Sequence, residues 1–399
     1  MTSTPGLRGV ARDLSASAVL AGLISVVIGI SSSVGLIFQA AQVGHLSAGQ
    51  TTGWLTATCL AIGVSGVLLC WRYRAPVVVV WSTPGLALIV SVADHLSFPE
   101  MVGAFLVCAL LIAFLGFSGL FERVTRLIPA PLASALLAGI LLAFPLRAFA
   151  ALPAHPWTVG AMFLAYLAGR IWLARYAVPL ALAAGVLAAV ALGEWHWAGG
   201  AGWLSSLGHL QLTAPHFTLT ATLQLALPLA LVTMTAQNLP GSAVLRASGY
   251  ARVPLSPVIG ATGVASLVIA PLGSPTLNLA ALTAAICTGE QAHPDVNRRY
   301  IAGLTSAGCY LLLGIFAGGI TRAVGALPTT LVAALAGLAL IGTVTSNLQT
   351  ALSEPGDREA AGLTLLVTAS GVSALGLGSA FWGILVGVLT AWLLRRRAA

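Results

Sequence analysis

Two stretches of this 399-residue chain set hydroxyl and amide residues beside prolines and glycines inside otherwise apolar sequence: Trp81-Ser82-Thr83-Pro84-Gly85 and Ser274-Pro275-Thr276-Leu277-Asn278-Leu279-Ala280. Proline removes a backbone donor and pushes the residue before it out of the helical region, so each stretch reads as an extended piece leading into a half-helix. A half-helix start leaves N–H groups unpaired and carries the positive end of the helix dipole, and two such starts facing one point form an anion site without any buried Arg. Ser82, Thr83 and Gly85 would then act from one side and Thr276, Leu277, Asn278 and Ala280 from the other, with hydroxyls and the amide adding donors. Local capping is the competing explanation, because Ser, Thr and Asn favour N-caps with no ligand involved.

Further polar residues interrupt other apolar runs. Met234-Thr235-Ala236-Gln237-Asn238-Leu239-Pro240-Gly241 holds two adjacent amides, Gln237 and Asn238, which either serve a ligand or tie the chain before Pro240. Ser31, Ser32 and Gln39 sit in the first apolar run, where lining a cavity competes with back-bonding to helix carbonyls. Apolar walls for an organic ligand would come from Phe38, Trp81, Met234 and Leu277. Carboxylates flank the runs and do not interrupt them: Asp94 and Glu100 at one end, Glu122 and Glu290 at the other. A buried acidic proton relay is therefore not visible. No nucleophile elbow, HExxH or phosphate-binding loop is present, so no enzyme is indicated. Cys59, Cys70, Cys108, Cys287 and Cys309 lack metal-ligand spacing, and neither a metal nor a cofactor is expected.

These residues need a membrane scaffold. The chain is 58% hydrophobic and 7% charged, against about 25% charged in a soluble domain. Apolar runs occupy roughly 15–42, 50–71, 98–120, 130–151, 157–174, 177–193, 219–241, 254–271, 299–320, 327–347, 360–377 and 380–394, and the broken segments 75–94 and 272–290 bring the total to about 14 spans. The first run has no convincing cleavage site and reads as a retained span. The formal charge of +8 comes from Arg at the ends of these runs, where it sets orientation and does not call for nucleic acid. With the N-terminus inside, Arg8, Arg12, Arg72, Arg74, Arg123, Arg126, Arg170, Arg175, Arg246, Arg252, Arg298, Arg299, Arg358 and Arg395 to Arg397 fall on the inner side, leaving Arg147 and Arg322 near the outer face. Both termini are thus expected to be cytoplasmic.

The longest polar loop, about 194–218, separates two halves of opposite orientation, 1–197 and 219–399, with a broken segment in the third place of each. Cys108-Ala109-Leu110-Leu111-Ile112 echoes Cys309-Tyr310-Leu311-Leu312-Leu313, and Thr125-Arg126 with Pro131 echoes Thr321-Arg322 with Pro328. The expected fold is all-α and polytopic, two inverted seven-span repeats with the binding site at the broken segments.

Ile28-Gly29-Ile30-Ser31-Ser32-Ser33-Val34, Phe38-Gln39-Ala40-Ala41, Trp81-Ser82-Thr83-Pro84-Gly85, the stretch Met234 to Gly241 followed by Leu245-Arg246-Ala247-Ser248-Gly249-Tyr250, and Asn278 to Gly289 together resemble the BenE family of bacterial benzoate transporters, described as benzoate/proton symporters of the inner membrane. The resemblance covers nearly the whole chain and implies kinship with the uracil/xanthine permeases and the sulfate/anion exchangers. It implies a core domain (15–120 and 219–320) and a gate domain (121–197 and 321–394), with substrate between the third and tenth segments near Ser82, Thr83, Gln237 and Asn278. Benzoate, protons and the bilayer are the implied partners; a homodimer stays open. The acidic residues of the nucleobase branch are missing here, which puts the proton route in doubt. Rival readings are another small organic anion, a nucleobase-like compound, or a passive channel.

Overall fold

The computed structural model describes residues 7–121, 129–195, 207–374 and 377–398. A short helix, α1 (Leu7–Asp13), precedes α2 (Ala16–Val43) and α3 (Ala48–Tyr73). Strand β1 (Val79–Trp81) then runs into the ten-residue α4 (Thr83–Val92), followed by α5 (Phe98–Phe117), α6 (Ala130–Ala150), α7 (Pro156–Trp172) and α8 (Ala177–Ala191). The second half opens with α9 (Leu219–Ala247) and α10 (Leu255–Ile269), and strand β2 (Leu277–Leu279) leads into the seven-residue α11 (Leu282–Thr288). It closes with α12 (Tyr300–Ile315), α13 (Ala317–Gly325), α14 (Thr329–Ala351), α15 (Arg358–Ala369) and α16 (Ser379–Ala398).

Among the described residues, seven helices are long and apolar enough to cross a membrane (α2, α3, α5, α6, α9, α14 and α10 with its short extension to Leu272), and α12 with α13 makes an eighth if that bent pair is one span. Their starts follow local chemistry. Ser15 Oγ accepts the Ala18 N–H at 3.2 Å, and the Ser47 and Gln50 side chains cap each other's backbone N–H.

Three expected elements differ. The run at 299–320 is not one rod: it bends by 71° at Phe316, ahead of Gly318 and Gly319. The run at 360–377 is helical only to Ala369, after which Gly371 turns the chain at φ +69°. The second half-helix begins at Leu282, beyond the Ser274-Pro275-Thr276 motif, because the chain stays extended through Leu279.

Lipid tails are as apolar as leucine, so helices associate through close packing, and small residues allow that approach. Gly116 of α5 lies against the backbone of Gly260 in α10, and Gly263 against Ala113. In the same way α3 packs on α12, α6 on α14, α7 on α8 and α15 on α16. A large buried cluster surrounds the two strands. A second, smaller one joins Val34 and Phe38 of α2 to Met162 and Tyr166 of α7 and Leu331, Val332 and Leu335 of α14.

Replacing Gly263 by Leu should cost about 1–3 kcal/mol by overpacking this seam, whereas Gly308→Ala in α12, with open space around it, should be neutral or slightly stabilising. Thermal unfolding in detergent checks both.

Candidate functional site

Inside a bilayer no water satisfies an interrupted helix, so each break must find its hydrogen bonds within the protein. Here β1 and β2 pair antiparallel, Val79 with Leu279, Val80 with Asn278 and Trp81 with Leu277. Past the ladder, the Ala280 N–H bonds the Val78 carbonyl at 2.9 Å. The outer edge of β2 is closed by side chains: Ser266 Oγ of α10 accepts the Leu277 N–H at 2.8 Å, and Asn238 Oδ1 of α9 accepts the Leu279 N–H at 2.9 Å. Asn238 reaches that edge from a π-helical turn, Met234–Asn238, the kind of local widening that re-aims side chains.

The start of α4 is largely spoken for. Pro84 has no N–H, Ser82 Oγ accepts the Gly85 N–H at 3.0 Å, and the Ser82 carbonyl accepts the Leu86 N–H at 2.8 Å. Gly85 is needed for packing, since a Cβ there would meet Leu229 and Ser82. Thr83 remains, its hydroxyl 2.7 Å from Ser33 Oγ of α2.

A cavity of about 700 Å³ opens beside this junction. Thr83, Gln237 and Ala280 line it, as expected binding residues, together with Trp81 and Ala281. Most of the other candidates lie elsewhere. Ser82 and Gly85 form the cap; Asn238, Leu277 and Asn278 build the ladder; Thr276 faces Thr233 at 3.3 Å; and Met234 packs under the Asn238 amide. Ser31 is buried and Gln39 half-buried, both off the cavity wall, and the Ser32 side chain lies outside the described residues. Of the apolar candidates Phe38 joins the smaller core cluster, and Leu277 is wholly buried.

The strand register accounts for this placement. Trp81 pairs with Leu277, so Ser82 corresponds to Ala280 and Thr83 to Ala281. The second segment therefore enters its helix on two alanines, with no side-chain cap, and its Ser-Pro-Thr motif is spent upstream, where Ser274 Oγ and Thr58 Oγ1 lie 2.6 Å apart.

Other lining residues had little or no motif to announce them. Tyr310 of α12 sets its ring edge-on to Trp81, centroids 5.6 Å apart, and its buried hydroxyl has no hydrogen-bond partner among the described residues; the same holds for Thr283 Oγ1. On α14, Thr343, Ser346, Asn347 and Thr350 also line the cavity, a polar stripe at helical spacing that was visible in the sequence. Among the described residues lining the cavity there is no Asp, Glu, Arg or His, and Glu290 is exposed on a loop outside it. The wall offers hydroxyls, two amides and two aromatic rings, and among its described residues no fixed charge.

The helical membrane fold is shared with solved structures. The transmembrane domain of a cyanobacterium bicarbonate transporter, BicA, superposes with a TM-score of 0.58 over 95% of this chain and 96% of that one, at 14% identity. The chain belongs to the BenE family, benzoate membrane transport protein, whose profile matches residues 12–393. It is similar to an Escherichia coli (strain K12) protein described as inner membrane protein YdcO, 43% identical over 92% of this chain and 93% of that one. It is also similar to the benzoate membrane transport protein of Acinetobacter baylyi, 39% identical over 98% and 99% of the two chains. The protein is a multi-pass membrane transporter and not an enzyme.

Asn238→Leu, which strips the acceptor from a buried backbone N–H, should destabilise the fold by about 1–3 kcal/mol. Gln237→Ala, one residue away but facing the cavity, should change stability by less than about 0.5 kcal/mol. Melting curves of the two variants in one detergent separate the structural amide from the free one.

Proposed function

We propose that the protein imports benzoate or a similar aromatic carboxylate across the bacterial inner membrane, coupled to protons, by alternating access. One observation carries the substrate class: the cavity at the start of α4 combines neutral donors with an aromatic pair and has no charged group among its described lining residues. A carboxylate set against Thr83 and Gln237 would meet the positive end of the α4 dipole and hydroxyl and amide donors. The ring would lie against Trp81 and Tyr310, whose near-perpendicular rings offer an apolar corner. A fixed carboxylate would repel such a substrate, so the neutral wall favours it. The coupling proton then travels with the substrate or on an acid outside the cavity such as Glu290.

The packing supports two inverted seven-span repeats, 1–197 and 219–399. Exchanging each span with the one seven spans on, with α13 counted together with α12, turns the α3–α12 contact into the α10–α5 contact, α7–α8 into α15–α16, and α6–α15 into α14–α7, and it maps the β1–β2 and α6–α14 pairs onto themselves. In the proposed division, the core (15–120 and 219–320) holds the ladder and the gate (121–197 and 321–394) holds α14. The cavity reaches Ser346 and Thr350, exposed near the C-terminal end of α14, while the other end of that helix is packed on Val34 and Phe38. With both termini cytoplasmic, as the Arg distribution favours, this geometry is open to the cytoplasm. Turnover would require the α2–α14 contact to part, and the backbones there approach closely enough that a Cβ on Gly35 would sit 3.0 Å from the Val332 carbonyl oxygen.

A second reading, a neutral nucleobase-like compound, draws on the Gln237 amide, which accepts as well as donates. Uptake of labelled benzoate into proteoliposomes decides between the readings. The expected result is saturable uptake, faster with an inside-alkaline gradient and outcompeting uracil, with KM raised about tenfold by Thr83→Val or Gln237→Ala, the loss of one hydrogen bond of about 1.4 kcal/mol. Flux linear in concentration would mark a channel, and no benzoate uptake with or without the gradient would overturn the proposal.

A further inference from the structure

Away from the central cavity, a pocket of about 230 Å³ is lined by Arg12, Arg74, Arg252 and Arg298 with Asp13 and Asp295. Asp13 stands just before α2, Arg74 just after α3 and Arg298 just before α12. Three membrane-embedded helices end here, so the pocket lies at the depth of lipid headgroups, on the face where most arginines fall.

The two carboxylates are already engaged. Asp13 Oδ2 takes Arg74 Nη2 at 2.9 Å and the Tyr300 hydroxyl at 2.9 Å, and Asp13 Oδ1 is 3.7 Å from Arg298 Nε. Asp295 lies 3.8 Å from the same Nε and accepts the Asn297 N–H at 2.9 Å, a bond that holds its carboxyl below the usual range. Arg74 and Arg298 thus balance Asp13 and Asp295. Arg12 makes no ion pair or hydrogen bond among the described residues, and Arg252 reaches only the Asn297 side-chain oxygen, at 3.4 Å. Two uncompensated guanidinium groups, Arg12 and Arg252, thus line a single space from two separate segments.

We propose that this pocket binds a phosphate group, either that of an anionic phospholipid headgroup or free phosphate at the membrane surface. A planar carboxylate is matched by one guanidinium fork, whereas a tetrahedral phosphate presents oxygens in several directions and suits donors arriving from different chain segments. Basic pockets between membrane helices on the inner side are where such headgroups are held. The bound phosphate would tie the start of α2 and the end of α3 to the loops that carry Arg252 and Asp295. It would therefore raise thermal stability.

The test uses the full-length protein. Its unfolding midpoint is followed in detergent as inorganic phosphate replaces chloride at constant ionic strength, and in nanodiscs of phosphatidylcholine with and without phosphatidylglycerol. A saturable rise is expected in at least one arm, and the responding arm names the source. In Arg12→Ala/Arg252→Ala the apparent affinity should fall about tenfold or more, the loss of charge-assisted contacts. Arg12→Lys/Arg252→Lys, which keeps the charge without the fork, should recover only part of it and carries the test should the alanine variant fail to fold. No shift in either arm, an alanine variant that responds like the parent, or a lysine variant with the full response would overturn the proposal. The pocket shares no residue with the central cavity, so the outcome is independent of which substrate is carried.

Discussion

Two chain breaks survive in the middle of this membrane protein because a three-residue ladder and two side chains close their hydrogen bonds. An unpaired backbone group in hydrocarbon costs several kcal/mol, and Val79 to Trp81 and Leu277 to Leu279 would leave several without each other, Asn238 and Ser266. Everything near the cavity is placed by that solution. The ladder sets where α4 and α11 begin, which carries Thr83 and Ala281 to the same space, and it holds Trp81 where Tyr310 packs at right angles to it. A mutation in the ladder would therefore be felt as loss of fold before loss of binding.

The same economy explains the character of the cavity. Polar residues near the breaks divide into those that serve the backbone and those turned to the cavity. Ser82 and Asn238 are of the first kind, with partners at 3.0 and 2.9 Å; Gln237, Tyr310 and Thr283 are of the second. What remains is a wall of neutral donors whose electrostatic bias comes from the α4 dipole, a weak and directional field compared with that of a buried Arg. Such a wall can hold an anion without trapping it, a useful property in a carrier that must release what it binds.

Much of this was legible in the sequence, and the illegible parts have physical reasons. Pro84 with Gly85 and Pro275 with Gly273 pointed to both breaks together with the Ser and Thr residues beside them, although α9 runs on through Pro240 and Gly241, and the Ser caps and terminal Arg residues marked where spans begin and end. The start of the second half-helix is not marked in the sequence, because a three-residue buried strand such as Leu277–Leu279 has no periodicity to betray it and Leu282 follows two alanines. Which of the adjacent amides, Asn238 or Gln237, lines the cavity was not readable from sequence: helical neighbours point roughly 100° apart, and the π-turn that shifts the phase of the helix leaves no compositional trace. Tyr310, a lone aromatic in an apolar run, reads like any packing residue. The polar stripe from Thr343 to Thr350 was in plain view and is the one element of the wall that helical spacing alone would have supplied.

The central claim is that a carboxylate is held at the ladder by neutral groups. A structure determined with benzoate bound tests it most directly. The account predicts the carboxylate in the central cavity, within about 2.7–3.2 Å of Thr83 and Gln237, with the ring against Trp81 and Tyr310. A benzoate found paired with an arginine, or density anywhere but beside the paired strands, would contradict it.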